Sequence, residues 1–315
     1  MASQGATCSA RASRNAPSLA PGTTPHYAPG MAKLTFLGTG LIGAGLTEAA
    51  ARRGDQVTAW NRTRAKAEAL AAHGVHVAGT PAEAIAGAEA VHLMLTDDAA
   101  VDSVLEACGP GLRNLLIVDH TTASPKGTAA RAERFAKQGI AFLHAPVFMT
   151  PAMTRQASGL MLAAGPKKVF ERAAAGLRKM AGSIEYLGER SDLAAAYKLF
   201  GNAMILTITA GLADVFAMAK SLGIAPADAF SLFGKFNPAA TLSYRGLNMS
   251  KGDYRASFEL SMARKDARLM LESAGSEKLA VLPGIAARMD ELLARGFSAD
   301  DLAVLAVDAV PKASQ

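Results

Sequence analysis

Cysteine is nearly absent: the 315 residues hold two, Cys8 and Cys108. They have neither the pairing density of a disulfide scaffold nor the spacing of a metal site, which points to a reducing compartment and a cytoplasmic location. His73 and His76 lie close together but lack a third ligand, so no metal is expected. Aromatic residues make up only 6% of the chain, and no block of lysine and arginine is interleaved with them, which excludes a nucleic-acid surface. The net charge of +6 is modest, and Arg11 and Arg14 supply two of those charges. A long uninterrupted apolar run is missing too. The richest segment is bracketed by Lys198 and Asp214, short of the roughly 20 residues that a membrane span needs, so no transmembrane helix and no membrane partner are expected. Residues 1–30 lack acidic side chains, carry four prolines and four serines, and show no apolar period. They are expected to be a disordered tail. Their arginine and serine content also suits an organelle transit peptide, and an upstream start or an appended leader is a third reading.

Half of the residues are hydrophobic, enough for sizeable cores in two domains. From Met31, short β-prone runs alternate with alanine-rich amphipathic segments, the pattern of βαβ units on a parallel sheet. "KLTFLG", "QVTAW", "AVHLML", "LLIVDH" and "IAFLHAPV" read as strands, with helices near 41–53, 63–73, 98–107 and 125–138. "GLMLAAG" and "SIEYLG" follow as further strands around a helix near 166–181. Beyond about residue 190 strand signals cease, and helices are expected near 192–222, 226–234, 239–250, 257–274, 281–294 and 298–306. The expected fold is α/β, a Rossmann-type doubly wound parallel sheet over 31–191, then an all-α C-terminal domain over 192–315.

"FLGTGLIGAGL" places Gly38, Gly40 and Gly43 in a GxGxxG arrangement directly after a strand and at the start of a helix. The glycines permit a tight turn, backbone approach to a pyrophosphate and close helix–strand packing, with Thr39, Leu41 and Ile42 as further cofactor contacts. The second strand ends in "WNRT". Where an acidic residue would hold a ribose 2′-hydroxyl, Asn61, Arg62 and Thr63 offer hydrogen bonds and a guanidinium to a 2′-phosphate, so NADP(H) is the expected cofactor. Arg62, Arg64 and Lys66 form the local basic cluster. In "YKLFGN", Lys198 and Asn202 lie one helical turn apart on one face of an otherwise apolar run. A partly desolvated lysine has its pKa pulled toward neutrality, which suits a general acid and base at a carbonyl, and Asn202 would hold Lys198 or the substrate oxygen.

With these three motifs the chain resembles the β-hydroxyacid dehydrogenase family, from Met31 to about residue 306. "HLMLTDDAAV" is similar to the family's loop over the cofactor, "DHTTASP" to its Asp-x-Ser-Thr-x-x-Pro stretch, "HAPV" to Asp-Ala-Pro-Val, and "ARKDARL" to its late Lys-Asp motif. The resemblance implies that Lys198 is catalytic with Asn202 beside it, and that Leu95, Thr96, Thr122 and Lys265 contact the cofactor. It also implies a small carbonyl or hydroxy-acid substrate and a homodimer or homotetramer formed through the helical domains. "RGLNMSKGDYRASFELSMARKDARL" is most similar to the glyoxylate/succinic-semialdehyde reductase branch, which favours NADPH. One departure bears on the substrate. The family's Ser-Gly-Gly or Ser-Gly-Ser after Ala-Pro-Val is replaced by Phe148, Met149 and Thr150, then Pro151, which has no amide hydrogen. With Thr122, Lys198 and Asn202, these residues are expected to meet the substrate, and a larger or less acidic carbonyl is favoured. Arg245 and Lys265 are the next candidates for a carboxylate. Imine reduction and a catalytically silent cofactor-binding protein are the alternative functions.

Overall fold

The computed structural model describes residues 32–313. The expected tail at 1–30 lies outside them. Strands β1 Lys33–Leu37, β2 Gln56–Trp60, β3 His76–Val77, β4 Ala90–Leu93, β5 Leu116–Asp119 and β6 Ala141–His144 form one sheet in the order β3-β2-β1-β4-β5-β6. Every pairing in it is parallel. This is the doubly wound dinucleotide-binding order, whose reversal point lies between β1 and β4. A second sheet, β7 Val147–Phe148, β8 Leu160–Ala163 and β9 Ser183–Tyr186, joins the first through an antiparallel bridge between His144 and Ala164.

Alternation along the central strands assigns their side chains to two cores. Phe36, Val118 and Leu143 enter one cluster, whereas Leu37, Ile117 and Phe142 enter the other. All residues of β4 and β5 are buried, which is why these strands read as mostly apolar runs, broken by His92 in β4 and ended by Asp119 in β5. The covering helices are α1 Leu41–Arg52, α2 Arg64–Glu68, α3 Pro81–Ala84, α4 Asp98–Cys108, α5 Pro125–Lys137, α6 Pro151–Arg155 and α7 Lys167–Leu177. Helix α2 is shorter than the expected 63–73: a 3-10 turn at Ala71–His73 replaces its second half, and Leu70 and Val75 enter the core on either side of that turn.

The remaining helices are α8 Leu193–Ser221, α9 Pro226–Ser231, α10 Leu247–Ser250, α11 Leu260–Ala274 and α12 Leu282–Ala294. The chain divides into two compact units between Ala195 and Ala196, inside α8. The core of the second unit gathers Tyr254, Leu260, Ala267, Met289, Leu292 and Val304. By length and composition alone α8 could cross a membrane: it has 29 residues, and its most apolar 18-residue stretch has a mean hydropathy of 1.6. Lys198 and Asp214 do not break the helix. Buried Asp214 accepts hydrogen bonds from the amides of Ala280, Val281 and Leu282, and so caps the start of α12.

Candidate active site

The site begins where β1 turns into α1. Gly38 has φ +104°, and a Cβ on it would lie 2.2 Å from the Met94 carbonyl oxygen, so only glycine fits. A Cβ on Gly43 would lie 2.1 Å from the Gly38 carbonyl oxygen, which holds the helix close over the turn. Gly40 caps α1 without a side-chain hydrogen bond, and the first turn carries no acid. Free amides and the positive end of the helix therefore face outward, a suitable seat for a pyrophosphate. Among the described residues, the hydroxyl of buried Thr39 has no hydrogen-bond partner.

In front of the turn lies a cleft of about 880 Å³. Gly40, Leu41 and Ile42 form its floor, Asn61, Arg62 and Thr63 one wall, and Leu95, Thr96 and Thr122 the other. The cleft thus gathers residues that the sequence scatters over 83 positions, from Gly40 to Thr122. Asn61 is partly engaged by the protein itself: its Oδ1 accepts from the Thr39 amide at 3.0 Å and its Nδ2 donates to the Thr63 carbonyl at 3.0 Å. It braces the glycine turn against the end of β2. Arg62 and Lys66 line the cleft, whereas Arg64 turns to Glu68 at 2.8 Å. Asp97 also reaches the wall, where its carboxylate caps α4 by accepting from the Ala100 amide at 2.8 Å. Lys66 was not among the expected contacts, although its place three residues after Thr63, in the first turn of α2, is a readable signal.

The expected substrate residues are more dispersed. Thr122 lies in the cleft. Phe148 packs on the Leu162, Ala164 and Ala194 cluster, and Met149 against the main core. Thr150 caps α6, accepting from the Met153 amide at 3.3 Å. Lys198, Asn202 and Lys265 belong to the second unit. Lys198 is 9% exposed, and burial pulls its pKa below the usual lysine range. Asn202, one turn on, is half-buried. Lys265 is exposed and pairs with Asp266 at 2.7 Å. Arg245 is bound to buried Asp301 at 2.8 Å, a pair that also anchors Ser257 and Phe258, so its guanidinium already has a carboxylate.

Residues 33–188 match the NAD binding domain of 6-phosphogluconate dehydrogenase. The chain is also 30% identical over 283 residues to glyoxylate/succinic semialdehyde reductase 2, chloroplastic, of Arabidopsis thaliana, spanning 86% of this chain and 77% of that protein. It belongs to the β-hydroxyacid dehydrogenase family. Members of this family are NAD(P)-dependent oxidoreductases. A further relative is the cytokine-like nuclear factor N-PAC of Xenopus tropicalis, 29% identical over 76% of this chain; the match spans 46% of that longer protein. Among solved structures, an imine reductase from Myxococcus stipitatus in complex with NADP+ superposes with a TM-score of 0.81 at 23% identity, covering 87% of this chain and 98% of that one. A reductive aminase from Aspergillus terreus in complex with NADPH and ethyl levulinate gives 0.81 at 24%, covering 89% and 99%. At these identities the two structures speak for the shared fold.

Proposed function

We propose that this β-hydroxyacid dehydrogenase relative is an NADPH-dependent reductase of a carbonyl compound, or the corresponding hydroxy-acid dehydrogenase in reverse. The observation that carries the cofactor choice is the end of β2: Arg62 and Lys66 line the cleft where an NAD-specific site would place a carboxylate, and Asn61 stands in that position. A guanidinium fork and an ammonium suit a 2′-phosphate, each charged hydrogen bond contributing roughly 1.5–3 kcal/mol. The free amides at Gly40 hold the pyrophosphate, and Leu95, Thr96 and Thr122 flank the rest of the dinucleotide. A reduced nicotinamide held by these residues would supply a hydride. Lys198 gives the developing alkoxide its proton, a role consistent with its burial and lowered pKa, and Asn202 orients the lysine or the substrate oxygen. Steady-state efficiency with NADPH and NADH tests the cofactor choice. NADPH should be strongly preferred and Arg62→Asp should erase the preference; equal efficiency in the unaltered protein would refute it.

The substrate is an aldehyde or keto acid larger or less acidic than the family's short hydroxy acids, because Phe148 and Met149 occupy the anion-holding turn and Pro151 offers it no amide hydrogen. The same replacement supports a second reading, reduction of an imine, the activity named for the Myxococcus structure. The lysine at 198 favours the carbonyl. A turnover panel with NADPH over glyoxylate, succinic semialdehyde, tartronate semialdehyde, larger keto acids and cyclic imines separates the two, and binding without turnover would mark a silent cofactor-binding protein. The protein works as a homo-oligomer. Helix α8 exposes Phe200, Ile205, Leu206 and Ile208, and Phe230, Phe236, Leu242 and Leu247 are also more than half exposed. An apolar helix left open in one copy calls for cover by another.

A further inference from the structure

Arg131 on α5 is the largest fully buried side chain among the described residues, and the cleft reading does not use it. Its guanidinium meets three carboxylates. Nη2 lies 3.0 Å from Asp98, Nε 3.0 Å from Asp102, and Nη1 3.6 Å from Asp119, whose side chain is also wholly buried. A cation is kept out of water only where its partners repay the lost hydration, so this arrangement has one tightly defined geometry.

Two of those carboxylates reach onward to the same cleft wall. Asp119 ends β5, and its Oδ1 accepts from the Thr121 amide at 2.9 Å. The Thr121 hydroxyl in turn accepts from the Leu95 amide at 3.0 Å. Asp98 begins α4, and its Oδ2 accepts from the Ser124 amide at 2.8 Å. The segments 94–98 and 119–124 follow adjacent strands, and each is thereby tied to the other and to the one guanidinium. Leu95, Thr96 and Thr122, which these segments present to the cleft, are thus linked to Arg131 by a hydrogen bond through Asp98 and by a 3.6 Å charge contact, longer than a hydrogen bond, through Asp119.

We infer that Arg131 is the positioning residue of the dinucleotide cleft, fixing the gap between the 94–98 and 119–124 segments through Asp98 and Asp119. The inference rests on the cleft being the NADPH site. A plain structural clamp between α4 and α5 would stabilise the fold equally well, but would leave cofactor affinity alone.

The experiment measures NADPH dissociation constants by fluorescence on the full chain, well below each variant's melting temperature, for Arg131→Met, Arg131→Lys, Asp98→Asn and Thr121→Val. Affinity should fall about ten-fold in Arg131→Met and less in Arg131→Lys, which keeps the charge without the fork. Thr121→Val keeps the side-chain shape and all three carboxylates, and should still weaken NADPH several-fold because Leu95 loses its anchor. Arg134→Ala, which removes a surface partner of Asp102 at 2.6 Å, should bind as the unaltered protein does. Should Arg131→Met fail to fold, Thr121→Val and Asp98→Asn decide the question. Unchanged affinity in these two and in Arg131→Lys, whatever their melting temperatures, overturns the inference and leaves the NADPH reading standing. An unaltered protein that does not bind NADPH overturns both.

Discussion

Glu48 on α1 and Arg155 on α6 meet at 2.7 Å, an ion pair that ties the helix of the glycine turn to the short helix that follows Phe148-Met149-Thr150. The hydrogen bond from Arg155 is the main reason the Glu48 carboxyl stays below its ordinary pKa, with help from Arg52. The two helices also touch where α1 has no side chain, since a Cβ on Gly45 would lie 2.0 Å from the Thr154 hydroxyl oxygen. Gly45→Ala should force α6 away and cost about 1–3 kcal/mol, the usual range for overpacking. Arg155→Ala should cost less, on the order of 1 kcal/mol, because the arginine is 41% exposed and its pairing is screened. The Arg155 contribution depends on ionised Glu48, so it is present above the carboxyl's unfolded pKa and fades as pH falls through the lower folded value. Thermal melts of both variants at neutral and acid pH check the order and the pH dependence; a costlier Arg155→Ala would contradict the packing argument.

Two stacked histidines predict a second acid sensitivity. The His120 Nδ1 lies 2.6 Å from the Ala145 carbonyl oxygen, which assigns it the proton, and leaves Nε2 to accept from His92 Nδ1 at 3.0 Å. Both rings are buried and neutral, and desolvation pushes the His120 pKa from 6.5 down to about 4. Between those values the unfolded chain binds a proton that the folded chain refuses. Stability therefore falls as pH drops from about 6.5 toward about 4, by roughly 3 kcal/mol for this one group at 1.36 kcal/mol per pKa unit. Chemical-denaturation curves across this interval measure the slope, and a flat profile would mean that the rings are not held neutral.

How far the sequence reveals the molecule depends on how local each signal is. β4 and β5 are legible because both faces are buried, and the glycine turn because close backbone approach leaves no alternative residue. The short elements α3 and α6 went unexpected, although each begins with a Thr-Pro pair whose hydroxyl caps the helix. Arg62 announces itself at the end of a strand, whereas the role of Arg131 rests on three carboxylates spread from Asp98 to Asp119 and meets no local rule. Backbone strain is equally silent in sequence.

Ala157 supplies the example of such strain. It has φ 49°, in the left-handed region that costs a residue bearing a Cβ about 1–2 kcal/mol. Glycine there removes that cost but adds freedom to the unfolded chain, roughly 0.4–1 kcal/mol in the opposite direction. Ala157→Gly should therefore gain up to about 1.5 kcal/mol of stability. An unchanged or lower melting temperature would show that surrounding contacts already compensate the strain.

The enzyme reading depends most on Lys198. Lys198→Ala should leave NADPH binding nearly intact, because Arg62, Lys66, the glycine turn and Thr122 all belong to the other compact unit. Turnover should drop by roughly 10²–10⁴-fold, the usual contribution of a general acid or base. Lys198→Arg should be poor as well, since a guanidinium keeps its proton at every accessible pH. Burial lowers the lysine's pKa, so carbonyl reduction, which needs the protonated amine, should decline as pH rises through that value. Alcohol oxidation, which needs the free amine, should rise over the same interval. Both limbs should vanish in Lys198→Ala. Full turnover in that variant, with the pH profiles unmoved, would show that a different group protonates the carbonyl.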